Sequence, residues 1–204
     1  MNIIGLSGVA TCGKDFFFSH LKFATKKNVI RFGLADALKE ELYDLIKQTY
    51  NVDVFNCSPE QKEMVRPILI NHAAIRRKET HGRYWINKIN DRVKSAAANK
   101  DNIVVITDIR FAEYEKDEVF WLKKELSGFL IHISKYYVEN DKKIFVPPAN
   151  VEEAKNNPEL IYNSDYIIEW ENNLNKEQAI EYCSDALVSM RLKKIHNNLL
   201  TSQK

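Results

Sequence analysis

The hydrophobic positions along the chain fall into two alternating kinds of segment. Short, mostly apolar runs, of the length of a buried strand, lie at residues 2–7, 29–32, 103–106, 129–133 and 166–170. Segments with an apolar residue every three or four positions, typical of amphipathic helices, lie at residues 14–25, 35–50, 59–77, 83–98, 115–126 and 175–192. Because strands and helices alternate, the pattern predicts an α/β fold: a five-stranded parallel sheet with helices on both faces.

No linker or composition shift divides the chain, so residues 1–204 are predicted to form a single domain. One segment stands apart from the alternation. Residues 134–160 are polar, contain Pro147-Pro148 and show no clear periodicity. A segment of that length without regular structure is usually a functional loop or a mobile lid, and we predict a mobile loop here.

The turn between the first strand and the first helix carries the most specific motif. It satisfies the pattern G-x-x-x-x-G-K, in which glycines let backbone N–H groups point at phosphate oxygens. The helix N-terminus adds partial positive charge, and Lys14 can reach the outer phosphates. We call residues 8–15 the phosphate loop and predict that it binds ATP through Gly8, Val9, Ala10, Thr11, Cys12, Gly13, Lys14 and Asp15.

Two aspartates are candidate magnesium ligands. Asp15 replaces the Ser or Thr that usually offers a hydroxyl to Mg²⁺, and a carboxylate beside phosphates is tolerated when a cation lies between them. Asp15 is also favoured at a helix start by the macrodipole, and the two roles are compatible. Asp108 follows the strand at 103–106, where it either anchors Mg²⁺, directly or through water, or is an ordinary polar strand end.

Basic residues recur near the predicted carboxyl edge of the sheet. Arg110, two positions after Asp108, is suited to hold a phosphate through two parallel hydrogen bonds. Asp36 and Lys39 lie one turn apart at the start of the second helix. A further basic group is explained either by a solvated surface or by a lid over phosphates, where arginines neutralise the charge of a transferring phosphoryl group. That group comprises Arg66, Arg76, Arg77, Lys78 and Arg83.

The composition and net charge limit the classes of partner that we expect the protein to bind. A formal net charge of +2 argues against nucleic acid or membrane surfaces as partners, and no apolar run approaches the ~20 residues of a membrane helix. The three scattered cysteines show no disulfide or metal-type spacing, which fits a reducing compartment. We therefore expect a cytoplasmic protein, or one in the host cytoplasm if viral, and a homodimer is left open.

The motifs resemble those of bacteriophage deoxynucleoside monophosphate kinases. The resemblance rests on Gly13-Lys14-Asp15, on residues 34–39 and 66–85, on the Asp108-x-Arg110 strand end, and on the last strand with Asn172. It implies a P-loop nucleoside-monophosphate-kinase-like fold with helices of residues 35–98 binding the acceptor and forming a lid. It also implies ATP and Mg²⁺ as cofactors and a (deoxy)nucleoside monophosphate as phosphoryl acceptor.

The same resemblance implies roles for individual residues. The acceptor would be bound by Asp36, Lys39, Arg66 and Arg110. The catalytic groups would be Lys14, Arg76, Arg77, Arg83 and Arg110. ATP would be bound by the phosphate loop and Asn172, and Mg²⁺ by Asp15 and Asp108.

Alternatives remain open at this point. Animal-type phosphomevalonate kinases share Gly-Lys-Asp-Phe and the Asp-x-Arg strand end, so the motifs specify a small-molecule phosphate kinase better than its acceptor. A nucleotide-binding switch or ATPase, or a structural protein with a vestigial loop, would also carry this loop. The chain departs from the phage pattern at Ala37, Asn71 and Lys135. In place of an expected His-x-Ser/Thr-Glu it has only Glu152-Glu153.

Overall fold

The computed structural model describes the backbone of residues 2–201 and the side chains of residues 2–196. The strands are β1 (Ile3–Ser7), β2 (Asn28–Phe32), β3 (Asn102–Ile106), β4 (Phe129–Glu139), β5 (Lys142–Phe145) and β6 (Tyr166–Glu171). The helices are α1 (Lys14–Leu21), α2 (Leu34–Tyr50), α3 (Pro59–Glu79), α4 (Arg83–Ala98), α5 (Glu118–Phe120), α6 (Val151–Tyr162) and α7 (Lys176–Thr201). Helix α5 continues as a π-helical turn over Trp121–Glu125, so the helix predicted at 115–126 is shorter and irregular.

The strand pairings confirm the predicted parallel sheet. β1 pairs in parallel with β3 and β4, β2 pairs with β3, and β6 pairs with β4. The parallel strands therefore lie in the order β2-β3-β1-β4-β6. Because β2 and β3 lie on one side of β1 and β4 and β6 on the other, the strand order reverses beside β1. In open α/β sheets, ligands bind outside the carboxyl ends of the strands at such a point.

Both faces of the sheet are covered, as the apolar strands predict. On one face, Ile4 and Leu6 of β1 pack with Phe17 of α1 and Leu187 of α7. On the other face, buried residues of β1, β3 and β4 pack with the apolar stripe of α4 and with Trp121. Burying a Leu, Ile or Val side chain contributes about 1.5–3 kcal/mol, so these two layers dominate the stability. Within residues 2–201, no helix combines the length and apolarity needed to cross a membrane.

The irregular loop predicted at 134–160 is wrong. β4 extends to Glu139, turns, and pairs in an antiparallel register with β5, so that Tyr136 lies opposite Phe145. α6 then begins after Asn150, whose side chain accepts a hydrogen bond from the Glu153 amide. The prolines had suggested a loop, but Pro147-Pro148 only separate the hairpin from α6, and α6 accommodates Pro158. Whether this segment moves stays a prediction.

A polar cluster joins the three helices α2, α3 and α4. Its centre is Glu41, whose carboxylate accepts hydrogen bonds from His72 Nε2 at 2.7 Å, Tyr84 Oη at 2.8 Å and Lys88 Nζ at 2.8 Å. Burial alone would raise the pKa of Glu41. These three hydrogen bonds outweigh burial and lower the pKa of Glu41 from 4.5 to about 2. The ionised form of Glu41 therefore stabilises the packing of the three helices.

We expect this cluster to make stability fall in acid. Because the folded-state pKa of Glu41 is depressed, its contribution is complete above about pH 4.5 and is lost as the pH falls towards 2. Glu41→Gln should cost about 1–3 kcal/mol of unfolding free energy at pH 7 and little at pH 2.5. Urea unfolding between pH 2.5 and 7 measures this, with the exposed Glu40→Gln as the matched control. Equal pH dependence in both variants would contradict it.

Candidate functional site

The phosphate loop leaves β1 and enters α1 through two glycines with positive φ. Gly8 has φ 131° and Gly13 has φ 103°, a region that other residues rarely adopt. Neighbouring atoms also leave no room for a side chain, because a Cβ at Gly8 would lie 2.3 Å from the Ile133 carbonyl oxygen. A Cβ at Gly13 would lie 2.4 Å from the Trp170 ring. The glycines of the motif thus serve both the turn and its close packing against β4 and β6.

Trp170 on β6 supports the phosphate loop from the sheet side. Its ring is buried, and its Nε1 donates a hydrogen bond to the Cys12 carbonyl oxygen at 2.8 Å. Sequence reasoning missed this contact, although Trp170 precedes the predicted ATP residue Asn172 by two positions. Asn172 itself lies in the exposed turn after β6, where its amide donates to the Tyr136 carbonyl oxygen at 2.7 Å. Its role towards ATP stays a prediction.

Lys14 folds over the phosphate loop. Its Nζ donates to the carbonyl oxygens of Gly8 at 2.7 Å and Val9 at 2.8 Å, which holds the ammonium group at the loop. Asp15 lies in the first turn of α1 with an exposed side chain. Beneath the loop, burial and the nearby Lys14 lower the pKa of His132 to about 4. His132 is therefore neutral at physiological pH and does not compete with Lys14 for an anion.

The segment that leaves β3 crosses the strand-order reversal. The Thr107 amide donates to the Phe32 carbonyl oxygen at the end of β2, and the Ile109 amide donates to the Leu6 carbonyl oxygen on β1, both at 3.0 Å. This path brings Arg110 to the phosphate loop, and Arg110 lines a small cavity together with Gly8 and Val9. The sheet thus brings the two strongest sequence motifs together.

Asp108 anchors the start of α2. Its two carboxylate oxygens accept hydrogen bonds from the Leu34 amide at 2.8 Å and the Ala35 amide at 2.7 Å. Burial raises the pKa of Asp108, and these two amides counteract that effect. The carboxylate therefore serves first as a helix anchor. It fixes the turn of α2 that carries Asp36 and Lys39, two predicted acceptor residues.

The carboxylates at this site suit magnesium only if phosphate oxygens and waters supply most of its ligands. Among the described residues, no group of three or more His, Cys, Asp or Glu side chains could hold a metal ion. Magnesium in nucleotide sites needs only one or two carboxylates, with phosphate oxygens and waters as the other ligands. The exposed Asp15 fits that requirement. Asp108 could contribute only alongside its two amide hydrogen bonds.

A buried ion-pair group lies behind Arg110. Glu118 accepts hydrogen bonds from the Arg110 amide at 2.6 Å and the Phe111 amide at 3.1 Å. Burial raises the pKa of Glu118 to about 8, against the lowering effect of Arg77. Arg77 donates to both oxygens of Asp117, at 2.9 and 3.0 Å, and its guanidinium stacks 3.6 Å from the Phe111 ring centre.

This placement revises the predicted role of Arg77. The residue is only 7% exposed and its terminal nitrogens are engaged by Asp117, so it lies in the core and not in a lid. We therefore assign Arg77 to the support of the segment that carries Arg110.

The other predicted arginines lie on α3 and at the start of α4. Each pairs with a nearby carboxylate. Arg66 donates to Glu63 at 2.8 Å and Arg76 to Glu79 at 3.3 Å. Arg83 donates to both oxygens of Glu125 at 2.8 and 3.0 Å. Their predicted contacts with phosphates stay predictions. Asp36 likewise pairs with Arg31, while Lys39 Nζ lies 4.0 Å from Asp36 Oδ1.

A carboxylate from α6 already occupies the phosphate loop. Glu153 Oε2 accepts a hydrogen bond from the Ala10 amide at 3.1 Å, and Glu153 Oε1 lies 3.9 Å from Arg110 Nη1. The loop amide is thus able to bind an anionic oxygen. The only sequence signal for this contact was the position of Glu152-Glu153 where a family glutamate was expected.

Comparisons with known proteins add little to this geometry. No protein-family model matches the sequence, and no curated protein matches it. Among solved structures, the chain is similar to the dephospho-CoA kinase from Campylobacter jejuni, with 14% sequence identity and a TM-score of 0.49 over 93% of this chain and 96% of that chain. The predicted P-loop α/β fold is confirmed by the strand order and by the phosphate loop at the reversal beside β1.

Proposed function

We propose that the protein is an ATP-dependent kinase that transfers the γ-phosphoryl group to a (deoxy)nucleoside monophosphate. One observation carries the proposal: Arg110 lies beside the phosphate loop at the strand-order reversal, where it lines a void of about 10 Å³ together with Gly8 and Val9. A loop that binds one phosphate chain, next to an arginine suited to a second phosphate, is what phosphoryl transfer between two phosphates requires. A simple nucleotide hydrolase needs no second phosphate site.

The residues would act by position and charge. Amides of the phosphate loop and the α1 N-terminus would hold the β-phosphate, with Lys14 between the β- and γ-phosphates. Asp15 would hold Mg²⁺ or one of its waters, and the metal would neutralise developing charge. Arg110, with Lys39 and Arg66, would hold the acceptor phosphate. No general base is needed, because a phosphate monoester is already ionised near neutral pH.

The acceptor class rests on the resemblance to the phage kinases. Phosphomevalonate is the second candidate, because Gly13-Lys14-Asp15-Phe16 fits the animal-type phosphomevalonate kinases as well. Helix α2 begins beside Asp108 and packs with α3 and α4 through the Glu41 cluster, and these helices would form the acceptor pocket in either case.

An acceptor panel tests the proposal. ADP release is measured with Mg-ATP and each of the common ribo- and deoxyribonucleoside monophosphates, with phosphomevalonate, and with no acceptor. We expect at least one nucleoside monophosphate to raise ADP release by about tenfold or more over the reaction without acceptor. Stimulation by phosphomevalonate alone would reassign the acceptor. ATP hydrolysis that no acceptor stimulates would contradict the kinase proposal and favour an ATPase.

A further inference from the structure

Glu153 binds the phosphate loop as an anionic ligand would. Its Oε2 accepts hydrogen bonds from the Ala10 amide at 3.1 Å and the Ala149 amide at 3.0 Å. Its Oε1 faces Arg110 at 3.9 Å, and the side chain is only 15% exposed. Hydrogen bonds from amides to an ionised carboxylate are stronger than those between neutral groups. The carboxylate therefore binds an amide of the loop and lies next to Arg110.

Helix α6 delivers this carboxylate in a defined position. Glu153 is in the first turn of α6, and its own amide donates to the Asn150 side chain at 2.9 Å, which caps the helix. Asn157 and Leu160, one and two turns further along α6, line the same cavity as Gly8 and Arg110. Glu153 thus reaches the phosphate loop from an ordered helix that forms one wall of the site.

The Ala10 amide lies on the part of the loop nearest Arg110, because Glu153 contacts both. The other end of the loop, at Gly13, begins α1 and abuts Trp170, and it does not line the cavity that Arg110 shares with Gly8 and Val9. Phosphoryl transfer places the terminal phosphate between the rest of the nucleotide and the acceptor. If Arg110 holds the acceptor, the terminal phosphate lies near Ala10. A phosphate and a carboxylate cannot share that amide, because their like charges repel.

We propose that Glu153 is a specificity-determining residue of the nucleotide site, an inference that rests on the proposed kinase function. Its carboxylate occupies the terminal-phosphate position at Ala10 until ATP displaces it. ADP lacks the terminal phosphate and leaves Glu153 in place. Displacement by ATP also separates Glu153 from Arg110, which then becomes free to bind the acceptor phosphate. The protein thereby distinguishes ATP from ADP through one carboxylate.

The test is a binding measurement without acceptor. Titration calorimetry with Mg-ATP and with Mg-ADP is done on the wild type, Glu153→Ala, Glu153→Gln and the matched control Glu152→Gln, an exposed neighbour in the same turn. If Glu153 blocks the site in a given fraction of the molecules, removing its side chain lowers the apparent Kd by that fraction. We expect Glu153→Ala to tighten Mg-ATP binding about tenfold, or about 1.4 kcal/mol. Binding of Mg-ADP should change by less than about twofold, as should both nucleotides in Glu152→Gln.

Either of two results would overturn the inference: unchanged or weaker ATP binding in Glu153→Ala, or equal tightening of ATP and ADP. If Glu153→Ala melts well below the wild type, Glu153→Gln decides, because it keeps the side-chain shape and removes the charge. It should tighten ATP selectively by a smaller factor. The acceptor panel tests the kinase proposal independently, because these titrations contain no acceptor and measure no phosphoryl transfer.

Discussion

Lys14→Met is expected to abolish phosphoryl transfer while the protein stays folded. Lys14 Nζ donates to the Gly8 and Val9 carbonyl oxygens and so holds its charge at the mouth of the phosphate loop. Methionine keeps most of the side-chain volume but cannot neutralise charge on the transferring phosphoryl group. Losing one such contact in the transition state lowers kcat by a factor on the order of 100 to 1,000. Steady-state kinetics with the best acceptor of the panel measures the loss.

The control for this experiment is Lys22→Met, an exposed lysine just beyond α1. It should keep wild-type turnover. Thermal unfolding should place the midpoint of Lys14→Met close to that of the wild type, because the lysine is half-buried and its two hydrogen bonds go to loop carbonyls and not to a helix or strand ladder. Near-normal turnover in folded Lys14→Met would refute the mechanism proposed for this site.

Arg77→Met is expected to destabilise the fold strongly. The guanidinium is buried, donates to both oxygens of Asp117 and lies 3.5 Å from Glu118 Oε1. Removing it leaves the buried Asp117 carboxylate without its counter-charge, which typically costs about 3–5 kcal/mol. Urea unfolding measures the change. Arg77→Lys should fall between Arg77→Met and the wild type, because lysine keeps the charge and loses the two parallel hydrogen bonds.

Arg92→Met is the matched control, because Arg92 forms an exposed pair with Glu40 at 3.4 Å. Exposed pairs contribute about 0–1 kcal/mol, so this variant should unfold almost like the wild type. Similar small losses in Arg92→Met and Arg77→Met would contradict the structural role given to Arg77. A stable Arg77→Met protein that had lost only turnover would instead return Arg77 to the catalytic role first predicted for it.

The Arg77 group also explains how the fold prepares the site. The segment after β3 contains no regular structure between Thr107 and Asp117, yet it must hold Arg110 beside the phosphate loop. Its amides are bound by Glu118 and Asp117, and Arg77 binds Asp117 in turn. Because each of these buried hydrogen bonds fixes the position of a backbone amide, this segment is held without a helix or strand of its own.

The phosphate loop is a feature that could be predicted from neighbouring residues alone. Its glycines, Lys14 and the flanking strand and helix are consecutive in the chain, and each property depends on backbone geometry over a few residues. The apolar runs likewise predicted all five parallel strands. The central strands β1 and β3 are buried throughout, and β2 and β6 at the sides keep apolar runs although Arg31 and Glu169 are exposed. The β4–β5 hairpin and α6 were not predicted, because their residues are largely exposed and the prolines at 147, 148 and 158 are typical of a loop.

The sequence by itself therefore determined the five parallel strands, most of the helices and the loop that can bind phosphates, because these depend on neighbouring residues and on their periodicity. Only the tertiary structure decided which charges meet. Glu153 reaches Ala10 across 143 positions, and Arg77 reaches Asp117 across 40. Both are charged residues on helices, and a charged residue reads as solvent-exposed in the sequence. Whether it faces water, a buried partner or a ligand depends on the packing of distant elements, which periodicity does not encode.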